Sequence, residues 1–173
     1  MSSKVCFVVL LACFAYQPAN ADDGIAVDKS TVEAAYLYNF ALYTEWPEAP
    51  ADVFRICVLG NDPVLAALEP VKNKQLKNHP VSVTSISPDA PVNTCQVLFV
   101  SRLAHSSIGN LSKKIGSAPV LVISEENGFD PRNVTIIIFE QQGRLAFRIN
   151  RTLAEANSLT FSSKLLKLAQ QVY

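Results

Sequence analysis

Gly60-Asn61-Asp62-Pro63 stands where a short apolar run gives way to a helical pattern. Nucleotide-binding α/β folds place a phosphate loop at such a turn. One glycine is not G-x-G-x-x-G, however, and no Lys-Ser/Thr pair follows as a P-loop requires. The segment therefore reads as a capped turn. His79 precedes Pro80 in a basic stretch and His105 precedes Ser106-Ser107. A Ser-His nucleophile needs a buried acid and an exposed elbow, and G-x-S-x-G is missing. Both histidines read as surface residues. Glu125-Glu126 follow a strand end, where α/β ligand sites often lie. With no second acid placed for paired acid–base work, they read as solvation of a loop. Cys57, Cys95 and two distant histidines are too few ligands for a metal centre, and no CxxC motif is present. The sequence thus predicts no catalytic, metal-binding or cofactor-binding residue and no enzyme.

The bulk properties agree. The chain has 173 residues, 49% hydrophobic and 17% charged, with fifteen basic against fifteen acidic side chains. That length suits one domain, and the balance excludes a disordered chain. Zero net charge leaves no electrostatic footprint for nucleic acid.

Residues 1–21 read as a secretory signal: Lys4, an uncharged run from Val5 to Tyr16, Pro18, then the small residues of Ala19-Asn20-Ala21. The run is shorter than the roughly 20 apolar residues a membrane span needs. Leu10-Leu11-Ala12-Cys13 resembles a lipoprotein cleavage box but leaves few apolar residues ahead of it, so cleavage after Ala21 is favoured. Residues 22–173 are then expected as one exported domain that does not insert in the membrane directly. Cys57 and Cys95 remain as an even pair in an oxidising compartment, where a disulfide is the default. Two buried thiols on neighbouring strands are the alternative.

The elements that must position these residues follow from periodicity. Ser30-x-x-Glu33 reads as a capping box, opening a helix with Val32, Ala35, Tyr36, Asn39, Phe40 and Tyr43 on one face and ending before Trp46-Pro47. Strands are predicted at Phe54–Leu59, Val81–Ile86, Gln96–Val100, Val120–Ile123, Val134–Phe139 and Leu145–Ile149. The last two are joined by Gln141-Gln142-Gly143 as a hairpin loop. Short helices are predicted after Asp62-Pro63 and through Ile108, Leu111 and Ile115, with a stop at Gly116. Asn127-Gly128 reads as a turn and 72–80 as a basic surface loop. A final helix runs from about Leu159, with Phe161, Leu165, Leu168 and Val172 on its apolar stripe. The expected fold class is α/β: a single domain with a largely parallel central sheet, helices on both sides, and an antiparallel hairpin near the C-terminus. The aromatic cluster on the first helix exceeds what one face holds, so Tyr38 and Tyr43 are candidates for contact with a partner.

Several segments together resemble the YfiR family of bacterial periplasmic proteins. They are Ala34-Ala35-Tyr36-Leu37-Tyr38-Asn39-Phe40 with Trp46-Pro47, Phe54-Arg55-Ile56-Cys57-Val58-Leu59-Gly60, and Cys95-Gln96-Val97-Leu98-Phe99-Val100-Ser101. Gly128-Phe129, Phe147-Arg148-Ile149-Asn150 and Ser162-Ser163-Lys164-Leu165-Leu166-Lys167-Leu168-Ala169 complete the series. The resemblance implies a non-enzymatic periplasmic repressor. Such proteins bind the periplasmic sensor of a membrane-bound diguanylate cyclase, lowering cyclic di-GMP and biofilm formation. It implies an OmpA-like outer-membrane lipoprotein as a second partner, and it matches Cys57 and Cys95 to the family's bonded pair. Gln96 stands where many relatives have His, Asp130-Pro131-Arg132-Asn133 replaces a Gly-rich turn, and a further cysteine pair of some members is missing. Lys164 and Lys167, with Tyr38 and Tyr43, are the candidate partner contacts. A homodimer is left open, and a periplasmic small-molecule sensor or carrier using the strand ends at Gly60 and Glu125 is the alternative function.

Overall fold

The computed structural model describes residues 28–48, 50, 52–102, 104, 113–126 and 131–173. The expected export signal, His105, Ser106-Ser107, most of the helix through Ile108 and the Asn127-Gly128 turn lie outside the described residues.

Short, β-branched and doubly covered runs build the centre. Strands β2 (Phe54–Leu59), β4 (His79–Ile86), β5 (Val97–Val100), β6 (Leu121–Glu125) and β7 (Ile136–Gln141) are parallel neighbours in the order β4-β2-β5-β6-β7. The antiparallel strand β8 (Arg144–Ile149) returns beside β7. The sheet edges are β10 (Gln171–Val172), parallel to β8, and β3 (Gln75–Leu76), antiparallel to β4. The α/β class, the mostly parallel sheet and the late hairpin are those the sequence predicts.

Alternation along each central strand sorts side chains to two faces. Ile56, Val58, Val97, Phe99, Leu121 and Ile123 join one buried cluster; Cys57, Leu59, Leu98, Val100 and Val122 join the other. Helix α1 (Lys29–Leu42) covers the first face with Ala34, Leu37, Phe40 and Ala41. Phe40 packs edge-on to Phe147 with ring centroids 4.8 Å apart, and Trp46 packs likewise on Phe54 at 5.1 Å. Under the second face Cys57 and Cys95 are bonded, their Cα atoms 5.9 Å apart, tying β2 to the entry of β5.

Several local expectations need correction. The predicted face of α1 is rotated: Ala35 and Asn39 are exposed, while Glu33, Ala34, Leu37 and Ala41 are buried. The capping box does not form. Asp28 is the N-cap, without a side-chain hydrogen bond, and Glu33 turns inward to an ion pair with Lys29. The 72–80 loop is instead a 3-10 turn (Glu69–Asn73) and a hairpin of β3 and β4. Its turn residues Lys77 and Asn78 take positive φ. The Lys77 ammonium donates to the Leu42 carbonyl and to Glu45 at 3.1 and 2.8 Å, so a residue expected to be merely solvated seals the C-terminus of α1. The hairpin loop after β7 is shorter than expected, with only Gln142 and Gly143 at positive φ between paired Gln141 and Arg144.

The C-terminal helix is the largest correction. Helix α3 (Arg151–Ala156), capped by the Asn150 side chain at 2.9 Å, was not read from the sequence. Thr160–Phe161 form strand β9, paired with β1 (Thr44–Glu45). Helix α4 spans only Ser163–Leu168, with Ser162 as its cap, and β10 follows. Leu168, placed on the predicted stripe, is 70% exposed. Ser162, extended at ψ 148, and Ala169, extended at ψ 137, close the helix at both ends. The apolar spacing therefore spans three different elements.

Candidate functional site

The strand order contains its own pointer. From β2 the chain crosses to β4 on one side and later returns to β5 on the other. The loops leaving the carboxyl ends of β2 and β5 therefore diverge, and open α/β sheets bind ligands in the crevice this leaves.

After β2, Gly60 adopts φ +82, a value that L side chains rarely take. Its N–H donates to Ile86 at 2.9 Å. Asp62 then accepts from the Val64 N–H at 2.9 Å, capping helix α2 (Val64–Ala67). The turn is held by its own Asp62, as a capped turn should be.

After β5, the backbone N–H of Arg102 donates to Glu125 Oε2 at 3.0 Å, and its Nε lies 3.5 Å from Oε1. Glu125, the last residue of β6, is not the solvated loop carboxylate the sequence predicts. It is 7% exposed and fully engaged. Lys29, the first residue of α1, donates to the same Oε1 and lies 3.0 Å from Glu33 Oε1. Glu33 is 4% exposed, and Oε1 has no hydrogen bond of good geometry. Lys29, Glu33, Arg102 and Glu125 thus form one charge network across α1, the β5 end and the β6 end.

Their protonation is coupled through position. Burial pushes the Glu33 carboxyl above its ordinary value; the Lys29 ammonium opposes this and the charge of Glu125 reinforces it. Burial would raise Glu125 too, but the bonds from Lys29 and the Arg102 N–H outweigh it and hold that carboxyl below the ordinary range. For Lys29, burial favours loss of the proton, yet Glu125 and Glu33 together keep the ammonium above its usual value.

The network lines a cavity of about 460 Å³ with Ser30, Asp62 and Pro63. A smaller compartment of about 270 Å³ continues it toward Glu126, Phe139 and Glu140. Beyond it, about 500 Å³ opens between α1 and the β7–β8 hairpin, lined by Val32, Tyr36 and Leu145. The hydroxyl of Tyr36 donates to the Leu145 carbonyl at 2.7 Å, fixing the helix to the hairpin there. Arg148 pairs with Glu126 and stacks on Phe139 at 4.5 Å. Among the described residues no His, Cys, Asp or Glu cluster has the makings of a metal centre.

The candidate partner contacts lie elsewhere and are not brought together. Tyr38 is half-buried beneath the Lys74 ammonium, 4.5 Å from its ring centre. Tyr43 is half-buried against the core at the end of α1. Lys164 and Lys167 are exposed on α4. The Gln96 side chain accepts from the Arg55 N–H at 2.8 Å and so stitches β2 to the entry of β5. The sequence signal for the network was Lys29 and Glu33 at i, i+4 on a helix. Nothing local marked Glu125 as their third member.

A family model described as YfiR/HmsC-like matches residues 30–170. The chain belongs to the YfiR/HmsC-like family. The match covers α1 from its second residue, the eight-stranded sheet except β10, and every member of the charge network but Lys29. No curated protein matches the chain. Among solved structures, the ABC domain in complex with L-Trp from Streptococcus pneumonia is similar at 13% identity and a TM-score of 0.49. That match covers 69% of this chain and 55% of the other, so the chain spans about half of that protein's length. A likeness at this level carries no argument about ligand or function.

Proposed function

We propose that this YfiR/HmsC-like protein is a periplasmic repressor of a membrane-bound diguanylate cyclase, acting by contact with the cyclase's periplasmic sensor domain and not by turnover. The observation that carries the reading is the family match over residues 30–170, which supports a periplasmic regulator in the general sense of the family. The bonded Cys57–Cys95 pair fits an oxidising compartment, and no helix among the described residues is long and apolar enough to cross a membrane. An OmpA-like outer-membrane lipoprotein that sequesters the repressor would be the opposing partner.

A repressor of this kind must bind the inactive cyclase more tightly than the active one, since only differential affinity moves an equilibrium. Moving it from 99:1 to 1:99 takes about 5.5 kcal/mol of difference. Leu168, the last residue of α4, is 70% exposed, and Lys164 and Lys167 precede it by four residues and by one. This gives α4 an exposed apolar side chain beside two cations as a candidate partner contact. Tyr38 and Tyr43, half-buried, are weaker contacts.

The test is a clean gene deletion with cyclic di-GMP measured by mass spectrometry. Cyclic di-GMP and surface attachment should rise and fall again on complementation; unchanged levels in both strains would remove the cyclase role. The crevice supports a second, compatible reading, in which the same protein senses a small molecule.

A further inference from the structure

We infer that the open edge of β4 is where two copies of this chain pair, strand to strand and antiparallel, about a twofold axis at Thr84. The inference rests on the edge itself and stands apart from the cyclase partner.

Strand β3 covers only the start of β4. It pairs at His79 and Pro80, and the last bond on that side runs from the Val81 N–H to the Lys74 carbonyl at 3.3 Å. From Ser82 to Ile86 the ladder to β2 continues without a bulge, while no described strand pairs the outer side. Backbone groups alternate between the two sides of a strand. The Ile86 carbonyl accepts from the Gly60 N–H, on the β2 side, and the Val81 N–H points outward. Ser82, Thr84 and Ile86 therefore bond β2. Val83 and Ser85 turn both their N–H and C=O groups away from it.

Edges of this kind are normally blunted by charge, proline or a bulge. This one has none of these. Val81-Ser82-Val83-Thr84-Ser85-Ile86 contains no charged residue and no proline. Thr84 and Ser85 are exposed, and Ser82, Val83 and Ile86 are half-buried. The opposite edge of the sheet, β10, is only two residues long.

A second copy is the occupant this pattern fits. With the axis at Thr84, Val83 of each chain faces Ser85 of the other, and each such pair exchanges both its bonds. Every outward N–H and C=O of the two residues is then satisfied in both chains. Thr84 meets Thr84 and Ser82 meets Ile86, so no like charges oppose one another. A twofold contact requires this self-complementarity. The flanks agree in sign as well. At the start of the edge, exposed Lys74 meets the Tyr38 ring and, among the described residues, no carboxylate. Three residues past its end, Asp89 is fully exposed, with Lys114 no nearer than 3.7 Å. An antiparallel copy brings the start of each edge beside the end of the other, the Lys74 end against the Asp89 end.

The experiment is sedimentation equilibrium of the purified, oxidised protein from about 10 µM to about 1 mM, a span that catches the weak association of a small interface. Wild type should pass from monomer to dimer, and amide exchange at Val83 and Ser85 should slow as concentration rises. Thr84→Lys and Thr84→Glu alter an exposed side chain and keep the backbone bonds to β2. Each should weaken the dimer roughly tenfold or more by setting like charges face to face, with native amide spectra showing that the fold is kept. An equimolar mixture of the two variants should recover the dimer, since opposite charges then meet on the axis. A monomer at every concentration, a dimer indifferent to Thr84→Lys, or no recovery on mixing would each overturn the proposal. So would Val83 and Ser85 amides equally protected at all dilutions, which would mean that the chain covers its own edge.

Discussion

Glu33 and Glu125, on α1 and β6, share the ammonium of Lys29 yet depart from the ordinary carboxylate range in opposite directions. Glu125 gains enough from Lys29 and the Arg102 N–H to stay ionised below the ordinary range, whereas Glu33 gains too little to offset burial. One lysine therefore joins a strong acid to a weak one, and the two carboxylates must leave opposite signatures on stability.

Replacing Glu125 with Gln should destabilise the fold by about 2–3 kcal/mol, the cost of charge-assisted bonds lost at a buried site. Because its folded pKa is lowered, its contribution is present above the unfolded carboxylate value and disappears as pH falls through the folded one. Urea unfolding across the acid range measures it. Wild type and Glu125→Gln should differ most near neutrality and converge in acid. A constant difference would mean that the charge is irrelevant.

Glu33→Gln should show the reverse trend. A carboxyl with a raised folded pKa contributes stability below its unfolded value, and that contribution is lost as pH rises through the folded one. The native state holds the proton longer than the unfolded chain, so wild type should lose ground to the variant as pH climbs toward neutrality. Denaturation midpoints for both proteins at a series of pH values give the sign directly.

Cys57→Ser should lower stability by roughly 3–4 kcal/mol on the chain-entropy account of a loop this size. The two cysteines are 38 residues apart and lie beneath the second face of the sheet. Alkylation before and after reduction, read by intact mass, should label neither cysteine and then both.

Gln142→Asn should stabilise the protein by about 0.5 kcal/mol, because Gln142 and Gly143 take positive φ in a two-residue hairpin where Asn-Gly is favoured. A higher denaturation midpoint with an unchanged urea slope would be the sign of it. An unchanged midpoint would mean the turn carries no strain that Asn relieves.

The parallel sheet was legible because strands covered on both faces read as continuous apolar runs, as Val97–Val100 and Leu121–Glu125 do. The late hairpin was legible from Gly143. The end of the chain was not, because Leu165 and Leu168 share helical spacing while only Leu165 packs inward. Strand β10 is held by pairing with β8, a long-range contact that local pattern cannot register. The same holds for the crevice. Lys29 and Glu33 are neighbours on one helix, but Glu125 joins them from 96 residues away, and a pair of adjacent glutamates at a strand end usually is just solvated. Only the crossover between β2 and β5 makes that position a floor instead of a rim.

The pairing of β1 with β9 sets an order of assembly. Thr44 faces Phe161, Ser162 donates its N–H to Tyr43, and Tyr36 reaches Leu145 across 109 residues. Helix α1 comes early in the chain, yet its partners include some of the last residues to be made. Contacts so distant in sequence must wait for the closure of long loops. Until residue 161 is available, β1 lacks its strand partner and the core cluster that α1 joins lacks Phe161 and Leu165.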